Sequence, residues 1–253
     1  MLIFLVPVLL IAAIIYIYRF TGKREILQLD LVQFLFAFLV YPVTYIWLKN
    51  FLYFLLRSEI GVALSLREWI NIDTAFTVFF MYFYAFGIIH ALTKTFSLNL
   101  HRDPLYDIFE DSKYFHEFIS HVGMYVAAVI LFAVLGILNC FFPIQVEQNR
   151  STLYLILALG WIMGFFAYLG AFYTTDKGVD YHRYRRIMKL AFGLSFLTLS
   201  ISYFVIHPLF SLKYSAFWFV LLGSASTIVS MFLFSPTRRF GRLLGKLKIQ
   251  GID

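Results

Sequence analysis

The residues of this chain best suited to chemistry are histidines and a carboxylate at the edges of apolar segments. Glu117 and His121 are four residues apart, so on an α-helix they share one face and could hold one metal ion. His90, near the end of the preceding apolar segment, is the expected third ligand from a neighbouring helix. Imidazoles with a carboxylate suit zinc, iron or manganese, and His90 with His121 could also ligate haem.

Two arguments weigh against a metal at these residues. His116 and His121 are five residues apart, which on an α-helix places them on different faces, so HEFISH is not the HExxH zinc motif. Amphipathic rings also collect at the headgroup level of a bilayer without binding any cofactor. We therefore predict no cofactor, with a metal ion or haem at His90, Glu117 and His121 as the alternative.

Other catalytic signatures are missing from the sequence. We find no nucleophile paired with a base and no glycine-rich phosphate loop. The ionisable residues map to the ends of the apolar segments, whereas proton-coupled carriers place them near the midplane of the membrane. We predict a non-catalytic protein that binds a protein partner or a small apolar ligand, with helix 101–125 and the basic inner loops as its contact surface. A metal-dependent membrane enzyme acting on a lipid is the first alternative, and a membrane transporter is the second.

The elements that would position these residues are membrane-spanning helices. The 253 residues are 61% hydrophobic and 14% charged, with a mean hydropathy of +0.81, whereas about 25% of residues are charged in soluble domains. Several apolar runs reach the length of about 20 residues that a spanning helix needs. We predict an all-α, polytopic transmembrane helical bundle forming one domain. Its seven spans are predicted at 2–18, 31–49, 74–92, 119–142, 153–173, 190–207 and 215–234.

The basic residues predict the orientation of this bundle. With the N-terminus outside and the C-terminus inside, 16 of the 21 Lys and Arg residues lie on the inner side and 5 on the outer side. Basic residues collect on the cytoplasmic side of membrane proteins whatever their function. The net charge of +7 is therefore a topology signal, and we predict no nucleic-acid partner. We expect a multi-pass protein of the cell's inner or plasma membrane.

Two inner segments are predicted to lie against anionic headgroups. An amphipathic helix over about 104–117 would lead from the membrane surface into the fourth span. The tail, 235–253, interleaves basic and apolar residues as surface-bound helices do. Contacts with anionic lipid are predicted for Arg183, Arg185, Arg186, Arg238, Arg239 and Arg242.

Small residues predict which helices pack most closely. Gly160, Gly164, Ala167 and Ala171 recur at steps of four, three and four in the fifth span. Such a stripe lets another helix approach closely, either in the same chain or in a second copy that would make a homo-oligomer. A second small face, around Gly223 in the seventh span, predicts that these two spans are interior to the bundle.

The second and third spans carry helix-breaking signals. Pro42 should kink the second span, because proline cannot donate a hydrogen bond to the preceding turn. We expect residues 51–70 to continue that span and then to form a separate helix on the outer surface. Asn71 and Asp73 are the residue types that cap helix N-termini, and they predict the start of the third span.

Overall fold

A transmembrane helical bundle is the architecture of this protein, as predicted. The computed structural model describes residues 2–26, 29–99, 114–172 and 181–234. Seven helical stretches in these ranges are long and apolar enough to cross a membrane. The chain is thus an integral, multi-pass membrane protein, because apolar helices of this length satisfy their own backbone hydrogen bonds in lipid.

The described residues form eight α-helices, together with shorter elements between them. The α-helices are α1 (Leu2–Ile17), α2 (Leu31–Leu35), α3 (Tyr41–Leu56), α4 (Leu66–Asn99), α5 (His121–Phe141), α6 (Arg150–Phe172), α7 (Tyr181–Ile206) and α8 (Ser215–Leu233). The π-helical segments are Phe36–Val40 and Phe115–Ser120, and the 3-10 helices are Tyr18–Phe20 and Leu212–Tyr214. Strands β1 (Glu25–Ile26) and β2 (Leu29–Asp30) pair antiparallel.

The seven spans agree in number with the sequence prediction, and most of their boundaries agree within a few residues. The spans are Leu2–Phe20, Leu31–Leu56, Leu66–Lys94, Phe118–Phe141, Arg150–Phe172, His182–Ile206 and Leu212–Leu233. The orientation, with the N-terminus outside, stays a prediction. Most of the predicted amphipathic helix 104–117 and the whole basic tail 235–253 lie outside the described residues.

The start of the third span differs from the prediction. The backbone N–H of Ser65 donates to the Glu68 carboxylate at 2.8 Å, and the N–H of Glu68 donates to Ser65 Oγ at 3.3 Å. This reciprocal capping box satisfies two donors that a helix start leaves unpaired, so α4 begins at Leu66. The prediction that Asn71 and Asp73 cap this span is wrong. The separate surface helix expected before residue 70 is also absent from the described structure, because those residues belong to α3, to turns and to α4.

Asp73 instead forms an ion pair with Lys49, which joins α3 to α4. The ammonium group of Lys49 also donates to Thr77 Oγ1 at 3.0 Å. Both charged side chains are about three-quarters buried. Charges at the edge of lipid are costly unless they are paired, so this pair fixes how the second and third spans meet.

The second span changes its helical register at Pro42. Residues Phe36–Val40 form a π-helical segment, and α3 begins directly after it with Pro42 in its first turn. The π-helical turn therefore lies just before the position where proline cannot donate a hydrogen bond to the preceding turn. The register change leaves Tyr41 buried, with its hydroxyl 2.7 Å from the sulfur of Met124 on α5.

The fifth and seventh spans pack through their small residues within the chain. A Cβ on Gly160 would lie 2.5 Å from the carbonyl oxygen of Phe219, and one on Gly164 would overlap the backbone of Gly223. Thr227 Oγ1 donates to the carbonyl of Gly164 at 2.9 Å. The predicted close approach is confirmed, and its partner is α8 of the same chain.

We expect Gly164→Ala to destabilise the bundle, because the added methyl group collides with the backbone of α8 and overpacking costs about 1–3 kcal/mol. The matched control is Gly193→Ala on α7, where an added Cβ meets nothing within 4 Å. That change should leave stability unchanged or raise it by up to about 1 kcal/mol through helix propensity. Thermal unfolding of the purified variants in detergent measures both, and equal melting temperatures would contradict the close contact.

Candidate metal centre

Three histidines converge at one end of the bundle. His90 comes from α4, His116 from the π-helical segment Phe115–Ser120, and His121 is the first residue of α5. Their exposed fractions are 3%, 1% and 4%. One ligand atom of each ring lies within 4.8 Å of those of the other two. We call these residues the histidine centre.

The three rings contact one another pairwise. The ring centroid of His90 lies 4.5 Å from that of His116 and 4.7 Å from that of His121, and the last two are 5.1 Å apart. Among the described side chains, this is the one group of three or more histidine, cysteine, aspartate or glutamate residues that could share a metal ion.

The π-helical turn explains how His116 joins the centre. In a π-helix hydrogen bonds run between residues five apart, so positions five apart lie nearly above one another, as positions four apart do on an α-helix. His116 and His121 have that spacing across Phe115–Ser120. The expectation that they lie on different faces is therefore wrong, because it assumed an α-helix. Such π-helical turns occur frequently at functional sites.

The structure brings together two of the three predicted metal ligands and adds a histidine that was not predicted. His90 and His121 meet as expected, and His116, which the spacing argument had set aside, completes the group. Glu117 belongs to the same π-helical segment, but its side chain lies outside the described part of the chain and its role stays a prediction. The sequence signal for His116 was its spacing of five residues from His121. This spacing indicates a shared face only if a π-helical turn is expected.

Ser120 connects two members of the centre. Its hydroxyl is fully buried, donates to the carbonyl of His116 at 2.7 Å and lies 3.4 Å from Nδ1 of His90. A second hydrogen-bonding group of this kind fixes the orientation of a ligand ring. Ser120 thus couples the His90 ring to the backbone of the π-helical turn.

Two tyrosines wall the centre on the side of His121. The ring centroids of Tyr125 and Tyr184 lie 6.5 Å and 6.2 Å from that of His121. Tyr125 donates to the carbonyl of Gly170 and Tyr184 to that of Ala171, both at 2.8 Å. The tyrosines therefore tie α5 and α7 to the last turn of α6 and help to exclude water from the histidines.

Two buried ionisable residues, Lys94 and Asp30, lie near the centre. Lys94, one turn beyond His90 on α4, is 9% exposed and interacts electrostatically with both His90 and Asp30. Burial raises the pKa of the Asp30 carboxyl, while the N–H of Gly22, 2.7 Å from Oδ1, and the positive charge of Lys94 oppose that rise.

The predicted lipid-contact arginines fall into two groups. Arg183, Arg185 and Arg186 lie in the first turns of α7, on either side of Tyr184, and Arg183 stands 5.3 Å above the ring of Phe118. The first of these turns is therefore beside the histidine centre. Contact with lipid stays a prediction for all six. The other three, Arg238, Arg239 and Arg242, lie outside the described residues.

Comparisons with known proteins give no assignment. No family model, no curated protein and no solved structure matches this chain. The chemistry of the centre therefore follows from its donor atoms and their geometry.

The donor set suits a transition-metal ion. Three imidazoles are typical ligands of zinc, copper, iron and nickel, and catalytic zinc sites use three protein ligands and leave a fourth position open. Zinc–nitrogen bonds of about 2.0–2.1 Å require nitrogens about 3.3 Å apart, so small rotations of the rings would close the centre around an ion. A haem between His90 and His121 fits less well, because those rings are in contact and would have to separate.

We expect the purified chain to bind one zinc ion, and His116→Ala to remove most of that binding. Loss of a direct ligand should lower the affinity by more than the roughly 10- to 100-fold typical of losing an outer-shell partner. The control is His182→Ala, because His182 is exposed on α7 and outside the centre. Competition with a zinc chelator measures both affinities, and equal values for the two variants would exclude His116 as a ligand.

Proposed function

We propose that this membrane protein is a metal-dependent enzyme whose transition-metal ion is held by His90, His116 and His121 and acts on a molecule dissolved in the bilayer. One observation carries the proposal: three ligand atoms converge within 4.8 Å on histidines that are at least 96% buried. Polar side chains inside a membrane protein are costly to bury and are functional by default. Three ligands leave a coordination position for water or substrate.

The chemistry that such an ion supplies is polarisation of a carbonyl or phosphoryl oxygen, or activation of a bound water. The residues around it have separate roles. Ser120 orients His90, and Tyr125 and Tyr184 close the side of His121, so a substrate is held away from bulk water. With the N-terminus outside, as the basic residues predict, the centre lies towards the inner face of the cell's inner or plasma membrane.

The non-catalytic alternative remains a protein that binds a partner through helix 101–125. That surface is described only from Tyr114 onward, and the buried histidines of its described part face the bundle instead of a partner. This burial is why we place the metal-dependent enzyme first.

Stabilisation by zinc tests metal binding in the intact chain. A ligand that binds only the folded state at about 100 times its Kd stabilises it by about 2.7 kcal/mol. We expect zinc to raise the melting temperature of the metal-free protein, and expect no rise in His90→Ala or His121→Ala. A rise of equal size in these variants would mean that zinc binds elsewhere.

Turnover of lipid tests the enzymatic part of the proposal. The chain is reconstituted in nanodiscs made from a total lipid extract, with and without zinc, and the lipids are compared by mass spectrometry. We expect a product that forms only with zinc, is retained in His182→Ala and is lost in His116→Ala. Identical lipid profiles for wild type and His116→Ala with a range of divalent metals would contradict an enzyme that acts on these lipids.

A further inference from the structure

A partly open cavity of about 230 Å³ lies between helices α1 and α3 to α8. Its walls are mainly aliphatic and aromatic, with Ile11, Phe132, Phe166 and Val220 among them. A smaller cavity of about 150 Å³ lined by Leu, Ile and Phe stays dry and binds benzene or xenon in another protein. The cavity in this chain is therefore suited to apolar matter and not to water.

The polar side chains that line the cavity carry hydroxyls or, at Trp47, an indole N–H that donates to the carbonyl of Ile3, and no charged residue lines it. Thr44 Oγ1 donates to the carbonyl of Val40, and Thr227 Oγ1 to those of Gly164 and Gly223, so these hydroxyls are occupied by backbone partners. A buried charge without a partner is strongly disfavoured. The cavity can therefore hold a hydrocarbon chain, but an ionic headgroup would have to lie outside it.

One end of the cavity adjoins the histidine centre. Tyr125 lines the cavity, and its ring centroid lies 6.5 Å from that of His121. Tyr41 also lines it and packs against Gly87, which precedes His90 by three residues on α4. Tyr125 lies one helical turn from His121, and Tyr41 contacts α4 one turn before His90. A molecule in the cavity would therefore have its near end towards the proposed ion.

The volume of the cavity limits what can occupy it. At about 230 Å³, the cavity is about half as large again as the roughly 150 Å³ cavity that holds one benzene molecule. That is enough for the end of one hydrocarbon chain.

We propose that the cavity binds the hydrocarbon chain of a single-chain amphiphile whose oxygen-bearing head, a carboxylate or an alcohol, lies at the open position of the metal. The inference rests on the proposed function and names its substrate class. The hydrocarbon chain of the ligand occupies the apolar interior, and its head lies beside Tyr125, at the ion held by the histidines.

Photo-crosslinking tests where the hydrocarbon chain of the ligand lies. The probe is palmitic acid with a diazirine on its chain and a terminal alkyne, added to the zinc-loaded protein in nanodiscs. We expect adducts on the cavity side of α5 and α6, competed away by palmitic acid. Ala128→Phe and Ala167→Phe each fill the cavity and should reduce labelling about tenfold, equivalent to about 1.4 kcal/mol of binding free energy. Ala75→Phe, at an exposed alanine that does not line the cavity, should not change it.

Zinc content, measured in the same samples, separates the two proposals. Both cavity-filling variants should keep their zinc. Undiminished labelling in both, or adducts only on lipid-facing positions of the wild type, would overturn the cavity inference and leave the metal centre standing. Adducts in the cavity of a chain that binds no zinc would overturn the proposed function instead.

Removal of zinc tests the position of the head. Chelation should weaken competition by palmitic acid and leave competition by hexadecane unchanged, since the hydrocarbon has no oxygen to coordinate. Equal competition by palmitic acid with and without zinc would overturn the contact between the head and the ion.

Discussion

Every backbone N–H and C=O of a membrane span must find its partner within the protein, because lipid offers none. This constraint leaves few ways to aim a side chain away from the regular face of a helix. The described part of the chain uses one of them twice, at Phe36–Val40 and at Phe115–Ser120, where a π-helical turn keeps the backbone bonded while it rotates the residues that follow. The first turn leads into Tyr41, which lines the cavity, and the second aligns His116 with His121.

The tight contact between α6 and α8 holds in place the residues that follow the two π-helical turns. Because Gly160 and Gly164 let the two helices touch through their backbones, the end of α6 is fixed relative to the rest of the bundle. The hydroxyls of Tyr125 and Tyr184 bond to the carbonyls of Gly170 and Ala171 in that same final turn. The walls of the histidine centre are therefore anchored to the most closely packed helix pair described above.

The sequence predicts best the features that follow directly from hydropathy, segment length and residue spacing. Hydropathy and length determine the seven spans, and the spacing of glycine and alanine in the fifth span predicts its close approach to another helix. The start of α4 was missed because the Ser65–Glu68 capping box lies in a stretch whose charges indicated a surface helix. His116 was missed because side-chain spacing reports a shared face only when the helix type is known. The residue types of Phe115–Ser120 do not indicate a π-helix, so the position of His116 in the centre could be found only from the structure.

The histidine centre draws its ligands from two successive spans, with residues 91–115 between His90 and His116. An ion held there would act as a cross-link that closes a loop of this length, much as a disulfide does in a secreted domain. Because the ligands come from both ends of this segment, the ion can bind only when the third and fourth spans have met, so binding stabilises the assembled form by mass action. Metal loading would thus be coupled to assembly of the third and fourth spans, and metal supply would influence how much of the protein reaches its assembled form.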